Sequence, residues 1–312
     1  MKPVAVLDIG TNSFHLLIGY YTSLNKTKIL HQEKLILRLT ENSLKNFNTI
    51  SSSAMEKAVS VILKYKRIAE KYDAYFIVTA TSAVRSAKNK NEFLKKIFYD
   101  TGIKIKVLSG LEEAKYIFQG VVKNFFENFN KTTLIIDIGG GSTELVFGKS
   151  GEIIFAESLD IGAVKLSHRF FPNFILTDKR ITDAQKYVEN KIFTIKENSK
   201  IPEAELIIGT SGTILNVGMI LKSIQNKSVV ERKEMNDFEL TAEKIFEIEK
   251  KILSLKKPSE RNKIVGLEKG RGDIIAAGII ILSSVFRILK LKQMKISLYG
   301  LREGIIASRT ND

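Results

Sequence analysis

The chain has 312 residues, 44% of them hydrophobic, which is enough for one large domain or two ordinary ones with real cores. It has no cysteine, which excludes disulfides and thiolate metal sites. A formal charge of +15 attracts polyanions (nucleic acid, anionic membrane or polyphosphate) without choosing among them.

The first third reads as strands followed by helices. Strands are expected over 4–9, 14–21 and 28–37, where β-branched and apolar residues are separated by turn signals. A helix over 54–71 follows from Ala58, Ile62, Tyr65 and Ala69, spaced by threes and fours. A short buried strand over 75–79 comes next, then a helix over 91–99, a strand over 103–108 and a longer helix over 111–129. The plan then repeats. Strands over 133–138, 143–147 and 153–159 precede helices over 163–171 and 178–197. A strand over 205–208 runs into a helix over 214–221. Helices over 241–253 and 273–289, a strand over 295–298 and a closing helix over 302–308 complete the order. The longest apolar stretch, 274–286, is shorter than the ~20 residues that span a bilayer. With no apolar signal core at the N-terminus, it reads as a buried helix of a cytoplasmic protein.

An internal repeat organises the chain. DIGTNSFHLLIG (8–19) aligns without a gap to DIGGGSTELVFG (137–148), with six of twelve positions identical. Each copy opens three strands followed by helices and a further strand. Two similar α/β domains facing each other across a cleft are expected, over 1–130 and 131–299, with the helix at 300–312 packing back on the first.

Three loops carry the chemistry. In the second copy, Gly139, Gly140 and Gly141 allow close backbone approach and positive φ. Their N–H groups can form an anion nest, to which Ser142 and Thr143 add hydroxyls. Asp137 and Glu144 bracket this loop and can hold Mg²⁺ or its waters. A lone glycine triplet is more often a plain hairpin turn, but the recurrence at Gly10, Thr11, Asn12 and Ser13 favours binding. The third loop, Gly209, Thr210, Ser211, Gly212 and Thr213, leaves a strand and enters a helix. In isolation it reads equally as an anion site or as ordinary N-capping, and as a third loop of this kind in one chain it favours binding. Arg85 follows a strand and offers bidentate donors to phosphate, although most arginines simply face solvent. Glu112 and Glu113 open a helix, where acids complement the dipole. Glu113 borders the apolar stripe of Ala114, Ile117, Phe118, Val121, Phe125 and Phe129, whereas Glu112 points away from it. The three histidines, His15, His31 and His168, show no metal-ligand spacing.

Seven motifs, in order, resemble the exopolyphosphatase / guanosine pentaphosphate phosphohydrolase (Ppx/GppA) family over nearly the whole chain. They are DIGTNSFHL (8–16), ATSAVRSAKN (80–89), SGLEEAKYIFQGV (109–121), DIGGGSTELVFG (137–148), IGAVKLSHRFF (161–171), GTSGT (209–213) and YGLREG (299–304). The resemblance implies an α/β fold of two actin-like (ribonuclease H-like) domains, with mixed sheets flanked by helices, around a central cleft. It places the general base on Glu113, the phosphate-binding arginine on Arg85 and the metal-associated acids on Asp137 and Glu144, with Asp8 acting through water. It also places phosphate loops on 10–13, 139–143 and 209–213. His15 and Arg271 are further candidates for substrate contact. The stretch LRLTENSL (37–44), a missing His-Gly in 229–241 and a missing proline in 266–278 depart from the family's pattern.

The expected activity is Mg²⁺-dependent hydrolysis of a terminal phosphoanhydride, in polyphosphate, guanosine pentaphosphate or both. The alternatives are an ATP-dependent small-molecule kinase of the same superfamily and a guanosine tetraphosphate sensor with weak turnover. A hard divalent cation is expected and an organic cofactor is not. Neither a membrane nor nucleic acid is an expected partner, and the assembly is a monomer or a homodimer.

Overall fold

The computed structural model describes residues 2–22, 26–39, 48–124 and 130–309. Most of the departing stretch at 37–44, and the stripe positions Phe125 and Phe129, lie outside these residues. The chain divides into two compact units: Met1–Phe126 with Tyr299–Asp312, and Glu127–Leu298.

The first unit contains β1 (Val4–Ile9), β2 (Ser13–Tyr21), β3 (Thr27–Ile36), α1 (Ser52–Lys71), β4 (Tyr75–Ala80), α2 (Ser82–Arg85), α3 (Lys90–Thr101), β5 (Lys106–Val107) and α4 (Gly110–Val122). Its sheet runs β3-β2-β1-β4-β5, antiparallel through β1–β2–β3 and parallel from β1 through β5. Alternation along β1 sorts the core into two layers. Ala5, Leu7 and Ile9 cluster with the buried stripe of α1, including Ala58, Ile62 and Tyr65. Val6 turns to the opposite face, where Ile305, Ile306 and Ala307 cover it.

The second unit contains β6 (Thr133–Ile138), β7 (Thr143–Lys149), β8 (Glu152–Leu159), α5 (Ala163–Phe170), α6 (Asp178–Asn198), β9 (Leu206–Thr210), α7 (Ser211–Asn226), β10 (Glu239–Thr241), α8 (Ala242–Ser254), α9 (Pro258–Arg261), α10 (Ile275–Leu289) and β11 (Gln293–Ile296). The last helix, α11 (Leu301–Ser308), belongs to the first unit. The second sheet runs β10-β11-β9-β6-β7-β8. The run β8-β7-β6-β9 has the same strand order and directions as β3-β2-β1-β4. The sequence repeat is therefore a structural one. The apolar run of α10 is buried on every side, as its all-round hydrophobicity requires. Among the described residues no helix is long and apolar enough to cross a membrane.

Several bounds differ from the sequence expectation. The strand expected over 103–108 is only Lys106–Val107, and α7 starts three residues earlier than expected, at Ser211. The short elements β10 and α9 were not foreseen.

The last helix meets α4 at close backbone range. A side-chain carbon on Gly120 would overlap the carbonyl of Gly300, and one on Gly304 would overlap that of Tyr116. Only glycine permits this crossing.

Candidate active site

In the second unit the glycine loop is a turn between β6 and β7, closed by a hydrogen bond from Gly139 N to Ser142 O of 3.0 Å. The start of α5 is locked onto it. Ala163 N donates to Gly139 O (2.9 Å), while Val164 N and Lys165 N donate to Gly140 O (2.8 and 3.1 Å). A side chain on Gly162 would overlap the backbone of Gly140 and Gly141. The helix thus uses its own orphan donors on the loop carbonyls, which turns the loop's N–H groups the other way. Among the described residues, the N–H groups of Gly140, Gly141 and Ser142 donate to no backbone carbonyl. Thr143 Oγ1 is not available as a donor, since it bonds Ile161 O at 2.7 Å. The positive φ expected of the triplet is not adopted: Gly139, Gly140 and Gly141 are absent from the left-handed residues. Here glycine provides room for close approach.

The first unit repeats the turn, with Gly10 N donating to Ser13 O at 3.1 Å. Its support differs. Leu37 N and Arg38 N, just beyond β3, donate to Asn12 O (3.2 and 3.1 Å), and Thr81 N donates to Ile9 O (3.2 Å). Thr11 Oγ1 and both polar atoms of the Asn12 side chain are buried without a partner among the described residues. Buried polar groups are rarely left so. Ser13 Oγ lies 2.7 Å from His15 Nε2, so His15 backs the loop through a hydroxyl.

The third loop joins β9 to α7. Ser211 carries φ of 72°, a left-handed conformation costly for a non-glycine residue. Its hydroxyl donates to Ile138 O at 2.7 Å, tying this loop to the end of β6. Arg271 reaches the same place: a side-chain carbon on Gly212 would stand 2.6 Å from Arg271 Nη1. The structure therefore brings Arg271, Gly209–Thr213 and the end of β6 together within the second unit.

Arg85 and Glu113 meet within the first unit. Arg85 Nη1 donates to Glu113 Oε2 at 2.8 Å and to Leu108 O at 2.9 Å. Glu113 is buried on α4, and burial raises its pKa above the ordinary carboxylate range while the Arg85 guanidinium pulls against that rise. Glu112 has a different role. Its carboxylate accepts Ser109 N at 2.9 Å in a capping box and pairs with Lys106 at 3.0 Å. These bonds lower its pKa to about 2, the backbone bond from Ser109 most of all.

Asp137 and Glu144 face each other across β6 and β7, which puts both side chains on one face of the sheet. Both are buried, and Ser158 Oγ donates to Glu144 Oε1 at 2.7 Å. Asp8 holds the equivalent place in the first unit, paired across the strands with His15. Among the described residues no group of three or more His, Cys, Asp or Glu is arranged to hold a metal. A pair of carboxylates fits Mg²⁺, which keeps waters and takes phosphate oxygens for its other ligands.

Sequence reasoning missed Gly162 and the donors of α5, as well as Asn216, an asparagine set in an apolar helix four residues after Gly212. That misplaced polarity was the available signal.

Residues 18–312 match the model of the Ppx/GppA phosphatase family. A Fusobacterium nucleatum protein named bifunctional 3-dehydroquinate synthase/phosphatase is 31% identical over 291 residues, 90% of this chain and 42% of that protein. The Pseudoalteromonas translucida guanosine-5'-triphosphate,3'-diphosphate pyrophosphatase is 29% identical over 97% of this chain and 58% of its own length. The chain thus spans less than two thirds of either relative. The crystal structure of an exopolyphosphatase from Cytophaga hutchinsonii superposes with a TM-score of 0.87 at 25% identity, covering 98% of this chain and 97% of that one.

Proposed function

The chain belongs to the Ppx/GppA phosphatase family, and from that premise we propose that it hydrolyses the terminal phosphoanhydride of inorganic polyphosphate, of guanosine pentaphosphate, or of both. The Arg85–Glu113 pair is the observation that carries this reading. A buried carboxylate with a raised pKa is a competent base for water. Arg85 occupies Oε2, so Oε1 is the oxygen offered to the water.

In the proposed step Glu113 Oε1 accepts a proton as the water oxygen bonds to the terminal phosphorus. The anhydride P–O bond breaks, orthophosphate is released and the remaining chain leaves one phosphate shorter. Arg85 holds the base with Nη1, and its other N–H groups suit phosphate oxygens. In the second unit the N–H groups of Gly140, Gly141 and Ser142 suit a phosphate oxygen as well, and positioning with charge stabilisation is the main demand of phosphoryl transfer. Asp137 and Glu144 would hold a Mg²⁺ ion, which supplies neutralisation of phosphate charge.

The test is phosphate release from polyphosphate and from guanosine pentaphosphate with Mg²⁺ present. Glu113→Gln is expected to lose about 10²–10⁴-fold in kcat. Near-normal turnover by that variant would remove Glu113 from the role. Phosphate transfer that required a small acceptor would point to a kinase instead.

A further inference from the structure

The third glycine loop and Arg271 are joined by a residue that touches neither solvent nor any expected ligand. Asn216 lies one turn along α7 from Gly212 and is fully buried. Asparagine is a poor choice inside an apolar helix unless its amide is satisfied. Here it is, and its bonds taken together join the first turn of α7 to the segment that carries Arg271. Nδ2 donates to Gly212 O at 2.8 Å and to Glu268 Oε2 at 3.1 Å. Oδ1 accepts from Glu268 N at 2.8 Å. Glu268 in turn faces Arg271 Nη1 at 3.6 Å.

The far side of this segment is fixed as firmly. Asn262 Oδ1 accepts from Gly272 N at 3.0 Å, and the fully buried Arg261 donates through Nε to Gly272 O at 2.5 Å. Residues 268–272 are thus held from both sides, with the Arg271 guanidinium laid against Gly212.

We infer that Asn216 is a positioning residue: through Glu268 it sets Arg271 and the Gly209–Thr213 loop as one piece, so that guanidinium and loop meet a phosphate together. This rests on the reading that the loop takes phosphate. Asn216 itself contacts no substrate, so its loss should act through Arg271. Two donors and one acceptor must all be matched, which only an amide of this length does at this site. Aspartate would keep the acceptor but lose both donors and face Glu268 with a like charge.

The experiment is a double-mutant cycle on Asn216→Ala and Arg271→Ala, read as kcat and KM for polyphosphate and as thermal stability. Asn216→Ala should raise KM about tenfold with kcat changed much less, the scale of one misaligned charge-assisted hydrogen bond. The Asn216→Ala/Arg271→Ala double variant should be no worse than Arg271→Ala alone. Asn216→Asp should fail to rescue. Multiplying effects, or an unchanged KM in a folded Asn216→Ala, would overturn the assignment. If the wild type turns over neither substrate, the proposed hydrolysis has failed on its own account. Calorimetric titration of tripolyphosphate then decides: a shared, non-additive loss of affinity supports the coupling, and additive losses or no wild-type binding overturn it.

Discussion

The glycine loops at Gly10–Ser13 and Gly139–Thr143 are copies in backbone and opposites in support. Both close the same four-residue turn, with bonds of 3.1 and 3.0 Å. The second is clamped by the first turn of a helix and presents peptide N–H groups. The first is clamped by the chain beyond β3 and keeps buried side-chain atoms of Thr11 and Asn12 that have no partner among the described residues. A repeat can thus preserve the turn while dividing its chemistry, with main-chain donors in one unit and added side-chain donors in the other.

The comparison breaks most sharply at Gly162. In Gly162→Ala the new methyl group overlaps the backbone of Gly140 and Gly141. The loop must move off α5, with an expected loss of about 10²-fold in kcat/KM and about 1–3 kcal/mol of stability. Gly10→Ala meets Ser13 O at 3.0 Å, a contact that a small shift relieves, so it should cost much less. Equal losses in the two variants would mean that α5 is not the clamp.

Asn12 sharpens the contrast from the other side. Replacing it by leucine removes two buried atoms that have no partner among the described residues. The free protein should keep its melting temperature or gain about 1 kcal/mol, while KM rises roughly tenfold. A large drop in melting temperature would show that the amide is structural.

A pH profile sets Glu113 of the first unit against Glu144 of the second. Burial lifts the Glu113 pKa and Arg85 opposes the lift. A base acts only when ionised, so activity should fall as pH drops through that raised value. Arg85→Met leaves burial unopposed and should move the acid limb of kcat/KM to higher pH. Ser158→Ala, which takes a hydroxyl from Glu144 in the other unit, should leave the limb in place. A limb that follows Ser158 instead of Arg85 assigns it to the wrong unit.

The smallest effect is expected at Ser211. Ser211→Gly relieves a left-handed φ of 72° but loses the bond to Ile138 O. Each change is worth about 1 kcal/mol, so the melting temperature should scarcely move.

Much of this was legible because it is periodic or local. Runs of apolar and β-branched residues between turn signals marked β1 and β2, and threes and fours marked α1. The helical projection separated Glu113, which borders the buried stripe, from Glu112, which caps its own helix. What escaped depends on partners distant in sequence. β10 is three residues that become a strand only by pairing with β11. Gly162 looked like an ordinary glycine until the loop lay beneath it. Positive φ was expected in the glycine triplet and is found at Ser211, because the turn after β6 needs room while the entry into α7 needs the reversal.

The close crossing of α4 and α11 bears on how the protein is made. The helix that carries Glu113 is packed against residues 301–308, which are synthesised after the whole of Glu127–Leu298. The second unit can assemble while translation continues, since domains fold as units from the N-terminal side. The first must wait with part of its sheet uncovered, its core closing only when the last helix arrives. Catalytic competence would therefore mature late, gated by the return of a single helix.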